Sequence, residues 1–403
     1  MHNIVVAKPY RFVPPYKGKV WATLVQHWLP SYLRRAYGIE SVEFRGIAHL
    51  QASLSANLAV ALTPNHCRPC DPMVMGLVSK NIGRPFYYMA SWHLFMQGRF
   101  QAWLINRAGA FSVYREGLDR EAIRASAGIL TEGYRPLVLF PEGVITRTND
   151  LLRPFMEGIF IIARAAAKER TKLKKPATVA VHPVAVKYFL LTNVEASLHE
   201  VLDEIEARFT WREQALPLVD RIVKVGQALL ALKELEYFGS VQRDEIAPRL
   251  EALIEHLLGR LEAKWLNGKR QPTFIGRVKA LRRALLEEMI AGDIAPEERE
   301  ARWRDLADIY LAGQISCYPP DYVRGKPTPE RLAETVERFE EDLTDKARIH
   351  GRWRVIIQIG EAIGIGPEKN GADERLTEQL QAQVQAMIDQ INRESESVRS
   401  ATR

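Results

Sequence analysis

A histidine and an aspartate stand five positions apart in TPNHCRPCDPM, residues 63–73, with a Cys-x-x-Cys pair between them. His66 and Asp71 could act as a general base and its orienting carboxylate. The carboxylate fixes the imidazole tautomer and stabilises the imidazolium that forms when a proton is taken near neutral pH. Cys67 and Cys70 offer zinc or redox chemistry instead. A zinc site needs three or four ligands, and the sequence holds no second Cys-x-x-Cys pair or histidine cluster to supply them. A redox pair belongs in a thioredoxin-like context, which the flanking residues do not provide. The two cysteines therefore read as small packing residues of a tight loop, and no metal is expected.

Two further blocks place charge after apolar runs. In GAFSVYREG, residues 109–117, Arg115 follows a strand-like segment, where its planar donors could fork onto phosphate oxygens or simply face water. In LFPEGVITRTNDLLRPFMEG, residues 139–158, Glu142 and Gly143 follow another apolar run, and Arg147 and Arg153 lie in the loop beyond. Glycine permits close backbone approach of a ligand there.

These residues need a scaffold that brings strand ends together. Short apolar runs at VEFR (42–45), LAVAL (58–62), PFYYMA (85–90), AFSVY (110–114), LVLF (137–140) and TVAVHPVAV (178–186) alternate with helical stretches. The pattern predicts an α/β fold with a mixed, largely parallel sheet flanked by helices, whose functional residues gather past the strand ends. Residues 40–198 and 349–395 form this domain in the sequence reading, because strand character returns at WRVIIQIGEAIGI (353–365) after a long interval without it. That interval, 199–348, reads as a large all-helical insertion, with Thr328-Pro329-Glu330 as one helix start. Residues 1–39 contain an amphipathic helix over 17–37 in which Trp21, Leu24, Trp28, Leu29, Tyr32 and Leu33 share a stripe. Pro30 is expected to bend or split it. Residues 396–403 read as a frayed tail.

Four blocks in order, NHCRPCD (65–71), GAFSVYR (109–115), FPEG with PFMEG (140–143 and 154–158) and VHPVAV (181–186), resemble the glycerolipid acyltransferase family of the 1-acylglycerol-3-phosphate acyltransferase type. The resemblance covers about 40–200 and the C-terminal end, and leaves the helical block outside. It implies transfer of a fatty acyl group from acyl-CoA or acyl carrier protein to a hydroxyl of a glycerol phosphate or lysophospholipid, with no covalent intermediate and no cofactor beyond the thioester. His66 and Asp71 would be catalytic. Asn65, Arg68, Arg115, Glu142, Gly143 and Arg147 would bind substrate, the arginines holding phosphate. The chain departs from the family pattern at Arg68, where a serine is usual, at Met156, where lysine is usual, and in the two extra residues before Thr146. A non-catalytic lipid-binding or partner-docking protein working through its helical block is the alternative reading.

Composition adds the setting. With 56 Lys and Arg against 49 Asp and Glu, the chain carries a formal charge of +7, which suits an anionic membrane surface or phosphorylated ligands. No nucleic-acid recognition motif accompanies the charge, so nucleic acid is not expected. The N-terminus lacks a secretory signal and no run is long and apolar enough to span a bilayer, so a cytoplasmic protein is expected, peripheral at the inner membrane face. Three cysteines in 403 residues agree with a reducing compartment. The basic run AKERTKLKKP, 167–176, is a candidate lipid-headgroup contact.

Overall fold

In a computed structural model the protein is described over residues 7–117, 119–211, 215–292, 294–368 and 373–401. Contacts divide it into two units. One comprises Phe12–Val113, Asp119–Asn193 and Ile349–Arg403, and the other Met1–Arg11, Tyr114–Leu118 and Val194–Arg348.

The first unit holds α1 (Val20–Tyr37), β1 (Ile39–Arg45), α2 (Ile47–Ser55), β2 (Ala59–Pro64), α3 (Asp71–Asn81), β3 (Tyr87–Ser91), α4 (Arg99–Arg107), β4 (Ala110–Val113), α5 (Arg120–Glu132), β5 (Leu137–Val138), α6 (Gly158–Lys172) and β6 (Val179–Leu190). After the second unit's helices α7 (Glu195–Arg208) through α13 (Pro329–Thr344), it is completed by β7 (Trp353–Ile359), β8 (Ile363–Ile365) and α14 (Asp373–Ala401). The eight strands form one sheet in the order β1-β7-β6-β2-β5-β3-β4, with β8 also paired to β6. Pairing is parallel except where β6 meets β7 and β8. The expected α/β class and mixed, largely parallel sheet are what the structure shows.

The central strands β2 and β6 are buried along their whole length, which explains why they read as continuous apolar runs. Helices α5, α6 and α14 share one core with the sheet through Ile129, Phe160, Ala163, Val384 and Ile388. Pro183 stands inside β6, an unusual place for a residue without an N–H. Register explains it: β6 pairs with β7 from Val184 onward and with β8 up to Val181, so Pro183 falls where one partner gives way to the other.

Three expectations change in detail. Helix α1 is not split at Pro30 but is one element from Val20 to Tyr37, with Ala22, Gln26, Leu29 and Leu33 buried along it and Gln26 bonded to Ser79 on α3. The run 353–365 becomes two strands separated at Gly360, whose N–H bonds Pro183 O. Helix α14 continues through Ala401 where a frayed end was expected; residues 402 and 403 lie outside the described residues.

The second unit is helical, with α8 (Leu218–Phe238), α9 (Ile246–Trp265), α10 (Phe274–Ala291), α11 (Pro296–Ile315) and the short α12 (Tyr322–Gly325) between α7 and α13. Leu253, Leu257 and Leu261 of α9 meet Leu281 and Leu285 of α10 and Ile309 of α11 in its core. Thr328 caps α13, its side chain accepting the Arg331 N–H, as the Thr-Pro-Glu start predicts.

Candidate active site

Strand β2 ends at Pro64 and α3 begins at Asp71, so residues 65–70 form a turn past a strand end. Asp71 is fully buried, and its carboxylate accepts three hydrogen bonds. Oδ2 takes His66 Nδ1 at 2.8 Å and the Arg68 N–H at 2.8 Å, while Oδ1 takes the Tyr188 hydroxyl. A carboxylate held this way accepts a proton-bearing Nδ1, which leaves Nε2 of the neutral imidazole as the basic nitrogen. Among the described residues nothing hydrogen-bonds Nε2. The imidazole rests on Phe140, with ring centroids 4.2 Å apart.

The FPEG turn holds this loop from the other side. Glu142 Oε1 accepts the His66 N–H at 2.6 Å and Oε2 accepts the Arg153 N–H at 2.8 Å. Thr146 N–H bonds the His66 carbonyl at 2.9 Å. Burial pushes the Glu142 carboxyl up to about 7, opposed by the two N–H groups that favour its charged form. Gly143 has φ 68°, and a Cβ there would stand 2.5 Å from Met156 Cε, so Met156 closes over this glycine. Arg147 is buried to 8% exposure with φ 55°, a left-handed backbone that costs a non-glycine residue about 1–3 kcal/mol and clusters at functional sites.

Asn65 has a backbone role. Its Nδ2 donates to Val186 O at 3.0 Å and its Oδ1 accepts the Val186 N–H at 2.7 Å. Asn149 does the same two residues on, donating to Tyr188 O at 2.7 Å and accepting its N–H at 2.9 Å. The two asparagines continue the pairing of β6 beyond the end of β2, and so fix both the 65–70 turn and the 146–150 loop to one strand. Arg68 is buried with its guanidinium 3.9 Å over Trp353 and 5.3 Å from the Tyr188 ring centroid. Cys67 and Cys70 are both 1% exposed, and burial pushes the Cys70 thiol up to about 12, which suppresses thiolate chemistry.

Residues 41–187 match the Acyltransferase family model. The chain thus carries an acyltransferase domain, spanning the blocks from which the resemblance was drawn. A comparison with curated proteins gave no match. Within this acyltransferase domain His66, Asp71, Glu142, Gly143 and Arg147 are brought into one network of loops past β2, while Arg115 is grouped with the helical unit. Sequence reasoning did not find Tyr188, Phe140 or Asn149. Phe140 was within reach, being part of FPEG; Tyr188 and Asn149 carry no local signal, because their partners lie 117 and 39 residues away.

The basic run 167–176 is engaged in the fold through Arg170 and Lys175, while Lys168, Lys172 and Lys174 are exposed. Arg170, 2% exposed, donates to the carbonyls of Pro176, Leu130, Thr131 and Asn57, and Lys175 Nζ to those of Thr131 and Glu132 at the end of α5. Cations at a helix C-terminus satisfy its last carbonyls.

Proposed function

We propose that this acyltransferase domain moves a fatty acyl group from a thioester, acyl-CoA or acyl carrier protein, to a hydroxyl of a glycerol phosphate or lysophospholipid. The observation that carries this reading is the His66–Asp71 pair at the end of β2, with Nε2 left as the base. His66 Nε2 takes the acceptor's hydroxyl proton as the oxygen attacks the thioester carbonyl. An ester C–O bond forms, the C–S bond breaks, and the proton passes to the departing thiolate. Asp71 supports the transient imidazolium, Glu142 holds the His66 backbone, and the strained Arg147 supplies positive charge to an anionic acceptor.

The test is a panel of glycerol 3-phosphate, lysophosphatidate and other lysolipids, offered with acyl-CoA or acyl carrier protein and read by mass spectrometry of the lipid products. An acylated product from at least one acceptor is expected. Thioester consumption indifferent to every acceptor would overturn the reading.

A membrane surface fits the same substrates. No helix among the described residues is long and apolar enough to cross a membrane. On α1, however, Trp21, Leu24, Trp28 and Tyr32 are exposed while Leu29 and Leu33 are buried, and on α4 Phe100 and Trp103 are exposed. Trp21 and Trp103 meet edge to face at 4.9 Å, joining the two helices into one aromatic face. Aromatic side chains with cations such as Arg34 and Arg35 nearby on α1 suit the headgroup boundary. Replacing Trp28 and Phe100 together by serine is expected to weaken sedimentation with anionic vesicles by about tenfold or more, since each buried aromatic contributes about 1.5–3 kcal/mol. Unchanged partitioning would remove this face from the account.

A further inference from the structure

Helix α10 carries Lys279, Arg282 and Arg283 at the three- and four-residue spacing that puts them on one face. Arg282 is 4% exposed, yet its guanidinium is only partly satisfied. Nη1 donates to Glu116 Oε1 at 3.2 Å, while Nε and Nη2 are buried with no hydrogen-bond partner among the described residues. Nε and Nη2 are the two donors of one guanidinium edge, the edge that forks onto a phosphate or carboxylate. Arg283 reaches the same segment as Glu116, its Nη2 standing 3.8 Å from where a Cβ on Gly117 would be. Arg115 and Lys279 complete the cluster: after burial, Arg282 is among the charges that lower the Arg115 guanidinium, and Arg115 and Arg283 are among those that lower the Lys279 amine. All of these residues belong to the helical unit. A fold that gathers cations and leaves a buried fork unbonded carries a cost that an anion would relieve.

We propose that Arg282, Lys279 and Arg115 form a binding site for a phosphate dianion, with the Nε/Nη2 edge of Arg282 as its bidentate donor. Several cations gathered around one carboxylate favour a doubly charged phosphate monoester over a singly charged carboxylate or phosphodiester. Lys279 and Arg282 lie outside the residues that match the acyltransferase family and Arg115 lies within them, so the bidentate donor and the lysine are what this chain's helix α10 adds. It does not depend on acyl transfer, because binding is read without turnover.

The experiment is calorimetric titration of the full-length protein with inorganic phosphate, glycerol 3-phosphate, and acyl-CoA beside its 3′-dephospho form, together with thermal melts in phosphate. The wild-type protein is expected to bind at least one of these probes and to melt at higher temperature in phosphate. A preference for glycerol 3-phosphate, or for acyl-CoA over its dephospho form, identifies the source of the phosphate. Arg282→Met should weaken that binding about tenfold or more, the loss of charge-assisted bonds. It should lose the phosphate-induced rise in melting temperature. Lys279→Gln, at a half-buried position, should weaken binding while keeping the fold. No binding by the wild type, or equal binding and equal melting shifts in both variants, overturns the site.

Discussion

His66→Ala is expected to lower acyl transfer by about 10²–10⁴-fold, the range a positioned general base supplies, with little change in the fold. The loss is confined to chemistry because the rest of the network survives. Asp71 keeps the Arg68 N–H and the Tyr188 hydroxyl when the imidazole is removed, so its buried carboxylate is still held by two donors. The His66 main chain keeps both of its ties, Glu142 to the N–H and Thr146 to the carbonyl. Initial rates with the best acceptor of the panel, read beside a thermal melt, separate the two effects. A variant that melts like the wild-type protein and transfers at its rate would remove His66 from the mechanism.

Glu142→Gln tests the positioning half of the site and gives a pH signature. Both carboxylate oxygens accept from backbone N–H groups, at His66 and Arg153, so an amide must turn its NH2 toward one of these donors. That mismatch should shift the loop carrying His66. A misplacement on the scale of 1 Å costs about 10²-fold in rate, with the His66–Asp71 pair chemically intact. The sign of the pH effect follows from the raised carboxyl. Between the ordinary 4.5 and about 7 the folded protein holds a proton on Glu142 that the unfolded chain has released, so stability falls as pH rises through this window and levels off above it. The shift corresponds to about 3 kcal/mol at 1.36 kcal/mol per unit. Denaturant melts from pH 4.5 to 8 should show that decline in the wild-type protein and lack this component in Glu142→Gln. Parallel curves would place the titration elsewhere.

The helical unit changes how the chain's positive charge is understood. A basic excess spread over 403 residues suggests a membrane or phosphorylated ligands without locating either. The structure takes Arg170 and Lys175 of the most conspicuous run, 167–176, out of that role by using them on carbonyls, and leaves Lys168, Lys172 and Lys174 exposed. It directs attention to α10, whose RVKALRRALL looks in sequence like an ordinary solvated helix face. The difference is burial: Arg282 is held under the surface with two of its three guanidinium nitrogens unbonded, a property of packing and not of residue order.

The sequence alone determined what is local. His66 and Asp71 are close enough in the chain to meet across one turn, Glu142-Gly143 follows its own strand, and the apolar runs LAVAL and TVAVHPVAV read as the buried strands β2 and β6. Thr328 caps its helix for the same reason, because the hydroxyl and the amide it satisfies are three residues apart. Tertiary structure decided what depends on residues far along the chain. The Tyr188 hydroxyl on Asp71, the stacking of Arg68 on Trp353, and the asparagine pair that extends β6 all come from distant strands laid side by side. It also decided which part of the α1 stripe is covered, burying Leu29 and Leu33 and leaving Trp21 and Trp28 exposed. A periodic pattern shows that a helix has an apolar side; only the neighbour that packs against it determines how much of that side leaves water.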